Sequence, residues 1–287
     1  MGLLWPLDYN KAWTLGEVTE LRGIGLHCGE EAFVRLHPSH TAGVQIRWSD
    51  GGPAAPVALD KVRESRLCTT LELDGRRLAT VEHLLGAIAG CGLTHIELEV
   101  SGPEVPLLDG SAQVWVDAIA RAGLVPAATA PRPAPRLQKP LVCQRGHSVI
   151  TATPAQSLTL VGIIDFPQTA IGQQILTIEL TPERFVNEIA PARTFGFSDQ
   201  VEQLRQAGLI RGGNLDNALV CNGDSWLNPP LRFADEPVRH KLLDLLGDLA
   251  LVGLPFPIAQ ILVYRGSHGL HIDLASALLN LYPRLSP

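Results

Sequence analysis

One helix constrains this chain more than any other feature. From Val238 to Val252 the sequence runs Val-Arg-His-Lys-Leu-Leu-Asp-Leu-Leu-Gly-Asp-Leu-Ala-Leu-Val. Aliphatic residues cover most of its circumference, the pattern of a helix inside a core. Yet His240, Asp244 and Asp248 recur every four residues and stack on one face. Lys241 lies one position round from that stripe. A charge buried without a partner costs several kcal/mol or neutralises itself, so the stripe must meet a metal, a counter-charge or water. A lone His-x-x-x-Asp is more often a core histidine beside an aspartate that caps nearby backbone. Here the third carboxylate and the lysine favour a site, in which His240 and Asp244 supply two of the three protein ligands of a catalytic zinc.

Composition bounds the class. The 287 residues are 46% hydrophobic and 18% charged, ordinary for a globular protein with a sizeable core. A net charge of -6, with no lysine-rich run, argues against a nucleic-acid partner. The start, Met1 to Pro6, lacks a positive n-region and a long apolar stretch, so no signal peptide is expected; Pro6 stands where a myristoylation motif needs Ser or Thr. No run approaches the roughly 20 apolar residues of a membrane span. Cys28, Cys68, Cys91, Cys143 and Cys221 are scattered and odd in number, against both a disulfide scaffold and a cysteine zinc site. The expectation is a cytoplasmic enzyme.

A Pro/Ala-rich stretch at 126–136 divides the chain and reads as an extended linker between domains at 1–125 and 137–287. The flanking halves share a plan. In the first, a helix at about 81–89 precedes the alternating strand 95–100, a loop at 102–110 and a helix at 112–122, with Ser111 suited to its N-cap and Gly123 to its C-cap. In the second, the helix at 238–252 precedes a strand at 258–264, a loop at 265–268 and a helix at 272–281. Earlier strands are expected at 17–22, 31–36, 44–48 and 67–73, and at 147–152, 157–165 and 174–180. The predicted class is α+β: two similar two-layer α/β sandwiches packed face to face with the site between them.

This repeat aligns Val81-Glu82-His83 with Val238-Arg239-His240, making His83 the natural third ligand. Thr80 is then the N-cap candidate, placing Glu82 and His83 in the first turn. With His83, His240 and Asp244 on one zinc ion, the metal keeps a position for water and a substrate carbonyl. Glu82, next to a ligand in sequence, reads either as the base beside that water or as a carboxylate that serves only the helix dipole. His268, in a glycine-flanked loop, is either an idle surface histidine or the acid that protonates a leaving group, oriented and kept cationic by Asp248. Arg22 to Gly29 superficially matches a dinucleotide fingerprint, but Cys28 replaces the third glycine and a tight turn fits better. His37, His40 and His95 read as structural. Thr194-Phe-Gly-Phe197 is either a satellite core or a wall against an apolar ligand.

Several motifs now coincide in order along the chain: Thr80-Val-Glu-His-Leu84, Gly102-Pro-Glu-Val-Pro106 with Leu108-Asp-Gly-Ser111, and Ile189-Ala-Pro-Ala-Arg-Thr-Phe-Gly-Phe197. Arg211-Gly-Gly-Asn-Leu-Asp-Asn217, the run from Asp235 to Asp248, and Ser267-His268 complete the set. Together they resemble the UDP-3-O-acyl-N-acetylglucosamine deacetylases, zinc enzymes of lipid A synthesis, from about Thr14 to Leu281. The resemblance implies His83, His240 and Asp244 as zinc ligands, Glu82 as general base, and His268 as general acid beside Asp248. It implies Thr194 at the oxyanion, Lys241 and Arg265 at the polar or phosphate part of the substrate, and Phe195, with Phe197, packed on it. It also implies an acyl-chain insert at about 189–220, with Val201, Ile210, Ala218 and Val220 as apolar contacts. The implied partner is a UDP-linked acylated amino sugar, met by a monomer whose membrane contact is transient.

Pro237, Arg265 and His271 depart from residues common in that family, at positions that touch substrate details rather than ligands. Chemistry alone leaves a zinc amidohydrolase with another amide substrate as the runner-up. A UDP-sugar or lipid-binding module with a structural zinc is the third reading.

Overall fold

The computed structural model describes residues 5–64, 67–129, 133–253 and 255–281, so Ala130, Pro131 and Arg132 of the expected linker lie outside the described residues. In the first half, β1 (Thr19–Ile24), β2 (Glu31–Pro38), β3 (Gly43–Trp48), β4 (Ala55–Pro56) and β5 (His95–Val100) form a sheet ordered β1-β2-β5-β3-β4. In the second, β6 (Leu141–Arg145), β7 (Ser148–Pro154), β8 (Thr159–Asp165), β9 (Gln173–Glu179) and β10 (Ala259–Tyr264) are ordered β6-β7-β10-β8-β9. The two orders are the same, and each sheet is antiparallel except for one pair, β3–β5 and β8–β10. The repeat that element order suggested is therefore a repeat of topology.

Each half covers its sheet with two helices. Helix α1 (Glu82–Gly90) precedes β5 and α2 (Gln113–Ala122) follows it. Within the second half, after β9, lies α3 (Ser198–Gln206), outside this scheme, before α4 (Glu236–Ala250) and α5 (His268–Leu281) take the equivalent places around β10. The strands alternate as a half-buried sheet should: Ala32, Val34 and Leu36 of β2 point into the core while Glu31, Arg35 and His37 do not. Helix α4 is aliphatic nearly all round because it lies between α1 and the second sheet, and one continuous core runs from Leu36 and Leu98 through Leu85 to Leu242 and Ile261.

The α1–α4 crossing is close because glycines face it. A β-carbon on Gly247 would fall 2.0 Å from the Glu82 carbonyl oxygen, and one on Gly86 would fall 2.8 Å from the Leu243 Cδ1. Gly247→Ala therefore meets rigid backbone and is expected to cost about 1–3 kcal/mol, more than Gly86→Ala, whose nearest contact is the flexible end of Leu243, with the Leu243 carbonyl oxygen at 3.3 Å. Thermal denaturation of the pair checks this; equal melting temperatures would mean the helices cross less tightly.

Two local expectations need correction. Thr80 does not cap α1: Val81 takes that place, and Thr80, at φ 58°, donates its hydroxyl to Glu104 Oε1 at 2.6 Å. His268 is not in a loop but opens α5, where Ser267 Oγ receives the Leu270 N–H; Gly266 and Gly269 misled the reading, since glycine marks a turn more often than a helix start. The proline-rich stretch is paired at both ends: Pro126 closes a short strand (Leu124–Pro126) against Trp13–Leu15, and Arg136 bridges Ile258. An edge position suits proline, which has no N–H to contribute. Elsewhere, the Gly25–Gly29 turn gives the His27 and Cys28 N–H groups to the Glu104 carboxylate, so no phosphate site remains there.

Candidate active site

The first turn of α1 and the second turn of α4 meet at the crossing, and the side chains they bring together are buried. His83 Nε2 lies 3.6 Å and His240 Nε2 3.4 Å from the same oxygen, Asp244 Oδ1. The three ligand atoms lie within 4.8 Å of one another. Separations of 3.4–3.6 Å are long for hydrogen bonds. They match the roughly 3.4 Å between neighbouring ligands of a tetrahedral ion bound at about 2.1 Å. His240 Nδ1 donates to the Ala192 carbonyl oxygen at 3.0 Å, which leaves Nε2 with its lone pair facing inward. Burial pushes the His240 imidazole down to about 3, so it is neutral, the form that binds a metal. Burial works against charge on Asp244 too, but the Lys241 ammonium, 2.9 Å from Oδ2, holds it well below the usual carboxylate range. Two imidazoles and a carboxylate are thus arranged as a set that can hold a metal ion.

Beside that set stands an acid–base pair. Glu82 Oε1 lies 3.8 Å from His268 Nε2, and its other oxygen receives the Thr69 N–H at 3.0 Å. Burial pushes the Glu82 carboxyl up, against the pull of His268 and His83. For His268, burial opposes the charge, yet Asp248 Oδ2 at 2.8 Å from Nδ1 outweighs it and pushes the imidazole up to about 10. Asp248 is itself held by three donors: His268, His271 Nδ1 at 2.8 Å, and the Thr69 hydroxyl at 2.5 Å. Burial pushes the His271 imidazole down, and its Nδ1–H donates to the carboxylate. Asp248, His268 and His271 also lie close enough to share an ion, but their facing atoms are already joined by hydrogen bonds.

The other anticipated residues surround this centre less tightly. Thr194 is fixed through its backbone, N–H to the Gly110 oxygen at 2.7 Å and carbonyl to the Leu219 N–H at 2.8 Å. Phe195 and Phe197 lie in a short strand (Phe195–Phe197) that pairs in parallel with Leu219–Asn222. The Phe195 ring stands 6.5 Å from that of His240 and 5.7 Å from the Lys241 ammonium. Both phenylalanines join Phe166 in a separate apolar cluster, the satellite core of the two readings. Val201, Ile210, Ala218 and Val220 are half-buried, Leu215 is exposed, and α3 has no buried residue. Arg265 is exposed, in a left-handed conformation (φ 53°) between β10 and α5. Lys241 is engaged with Asp244 rather than free.

Sequence reasoning missed Thr69 and read His271 only as a departure bearing on substrate details, whereas it is buried with its Nδ1 on Asp248. Thr69 precedes the strand Thr70–Leu73 and carries no local signal. His271 stands three residues after His268, a helical spacing visible only once α5 is known to start at His268.

The sequence model of the LpxC family, UDP-3-O-acyl N-acetylglycosamine deacetylase, matches residues 12–280. The UDP-3-O-acyl-N-acetylglucosamine deacetylase of Thermosynechococcus vestitus is 48% identical over 276 residues, 95% of each chain. That of Synechocystis sp. is 47% identical, covering 91% of this chain and 96% of its own. A probable mitochondrial enzyme of the same name from Arabidopsis thaliana is 39% identical over 91% of this chain and 86% of its own. Family match, relatives and fold agree along nearly the whole length, and the chain belongs to the UDP-3-O-acyl-N-acetylglucosamine deacetylase family.

Proposed function

We propose that the chain hydrolyses the N-acetyl group of UDP-3-O-[(3R)-3-hydroxyacyl]-N-acetylglucosamine, giving UDP-3-O-acyl-glucosamine and acetate in lipid A biosynthesis. The observation that carries this reading is the juxtaposition of a buried His83–His240–Asp244 set with Glu82 and His268, 3.8 Å apart and oppositely suited for proton transfer. The activity named for relatives 47–48% identical supplies the substrate. His83, His240 and Asp244 would hold one zinc ion, which would polarise the acetamide carbonyl and lower the pKa of water beside it. Glu82 takes the proton of the attacking water, and its raised pKa makes it a better base than an ordinary carboxylate. The Thr194 hydroxyl steadies the oxyanion that forms as water adds to the carbonyl. His268, cationic because of Asp248, gives its Nε2 proton to the sugar nitrogen as the carbon–nitrogen bond breaks. Lys241 and Arg265 meet the polar and diphosphate part, and Phe195 and Phe197 pack on the substrate.

The domain boundary at 126–136, a cytoplasmic location, a monomeric state and transient membrane contact belong to the same proposal. Among the described residues no helix is long and apolar enough to cross a membrane. Mass spectrometry of the purified protein with acylated and non-acylated UDP-amino sugars tests the reaction; release of acetate from none of them overturns it.

The insert at about 189–220 carries the substrate side of the proposal. It offers half-buried Val201, Leu204, Leu209, Ile210, Ala218 and Val220 beside two phenylalanines, more apolar surface than acetate removal needs. Each buried methylene contributes about 0.8 kcal/mol, so four of them raise kcat/KM by roughly two hundredfold. The acylated substrate is expected to exceed UDP-N-acetylglucosamine by at least about that factor, and Ala218→Trp should shorten the preferred chain. Equal efficiency on both substrates would make the insert plain core and favour a different amide substrate.

A further inference from the structure

Glu236, at the start of α4, has no exposed surface, and its carboxylate collects four hydrogen bonds from two arginines. Oε1 receives the Arg193 backbone N–H at 2.9 Å and the Arg193 Nε at 2.8 Å; Oε2 receives an Arg193 terminal nitrogen at 3.2 Å and the Arg232 N–H at 2.6 Å. One turn later on the same helix, His240 Nδ1 donates to the Ala192 carbonyl oxygen. The Ala192 carbonyl and the Arg193 N–H belong to one peptide unit, which is planar and stiff. That unit is therefore gripped at both ends from α4, by Glu236 on its N–H and by His240 on its oxygen. Fixing the N–H fixes the direction of the carbonyl, and the carbonyl selects the Nδ1–H tautomer that leaves His240 Nε2 facing Asp244. The next residue is Thr194. Arg232 adds a brace, donating to the Pro191 oxygen at 2.8 Å and pairing with Asp109.

We propose that Glu236 is a positioning residue for the metal centre, holding through the Ala192–Arg193 peptide both the ring of His240 and the place of Thr194. The proposal rests on the zinc hydrolase reading above. Glu236→Gln keeps the side-chain volume and one acceptor oxygen, but it sets an NH2 donor against the N–H groups on the other side and removes the charge that Arg193 meets, so the grip on the peptide loosens.

Chelator competition on purified apoprotein, with zinc alone as probe, measures the effect. Glu236→Gln should weaken zinc binding by about ten- to a hundredfold, and the visible absorption bands of the cobalt-substituted protein should shift. On substrate, kcat should fall while KM stays within about twofold, because the carboxylate acts on ligand and oxyanion groups rather than on substrate binding. Ile178→Ala, a core change in the second sheet, is the comparison for lost stability and should leave zinc affinity and the cobalt bands as in wild type. Wild-type affinity and unshifted bands in Glu236→Gln overturn the proposal, as does an equal loss in Ile178→Ala. Where Glu236→Gln yields no soluble protein, Arg193→Lys is read instead, with an affinity loss of about three- to tenfold expected and no loss overturning. Failure of the wild type itself to bind zinc overturns the underlying reading, and this proposal with it.

Discussion

Glu82→Ala and His268→Ala are each expected to lower kcat by two or more orders of magnitude, the usual contribution of a positioned acid or base, while zinc stays bound. Neither side chain belongs to the His83–His240–Asp244 set, and both are held independently, Glu82 by the Thr69 N–H and His268 by Asp248. The pH profile distinguishes the two roles. Glu82 acts ionised, so activity is lost as pH falls through its pKa, which burial raises above the ordinary carboxylate value. His268 acts protonated, so activity is lost as pH rises through its own, which Asp248 carries up to about 10 against burial. A bound dication favours the carboxylate and disfavours the imidazolium, moving both limbs down from these positions. Asp248→Asn removes the anion that holds the proton on His268, so its alkaline limb should fall toward neutrality. An alkaline limb in His268→Ala that matches wild type would reassign the acid.

The sequence exposes most of this site because the site breaks a rule of folding. Charges on an aliphatic helix are anomalous, and the anomaly picks out His240, Asp244 and Asp248; all three are buried. The two-sheet architecture was legible because the alternation in β2 and β5 and the glycine stops after α1 and α2 are local signals. The identical strand order of the two halves was not, since β4 and β6 are short or largely exposed and carry little alternation. The start of α5 was hidden by Gly266 and Gly269, and with it the relation between His268 and His271. Thr69 and Glu236 were invisible for a different reason. Their work is done by backbone groups 13 and 43 residues away, Glu82 meeting the Thr69 N–H and Glu236 the Arg193 N–H, and no spacing rule reaches across such separations. Apart from the Thr194–Phe197 run, the residues proposed to face substrate were reached through motif resemblance. Half-buried valines and phenylalanines look the same in sequence whether they line a groove or finish a core.

His83→Ala is expected to abolish stoichiometric zinc binding and, with it, activity, because it removes the one member of the proposed ligand set that comes from the first half of the chain. His240 and Asp244 sit one turn apart on α4, so two ligands on a single helix remain, too few to retain the ion against chelators. The fold should survive, since α1 and α4 also meet through Gly86, Gly247, Leu243 and the continuous core. Zinc binding should therefore stabilise the wild type alone. A ligand at a hundred times its Kd stabilises the native state by about 2.7 kcal/mol, so added zinc raises the wild-type melting temperature and leaves that of His83→Ala unchanged. The same logic applies to chelation: stripping the wild type should abolish activity, lower its melting temperature to that of the variant, and be reversed by zinc. Because the ion would join α1 to α4, hydrogen exchange should quicken at the start of α1 on stripping, and not in β8 or β10. An equal zinc-induced shift in His83→Ala and wild type would place the ion elsewhere, with Asp248, His268 and His271 as the next set to examine.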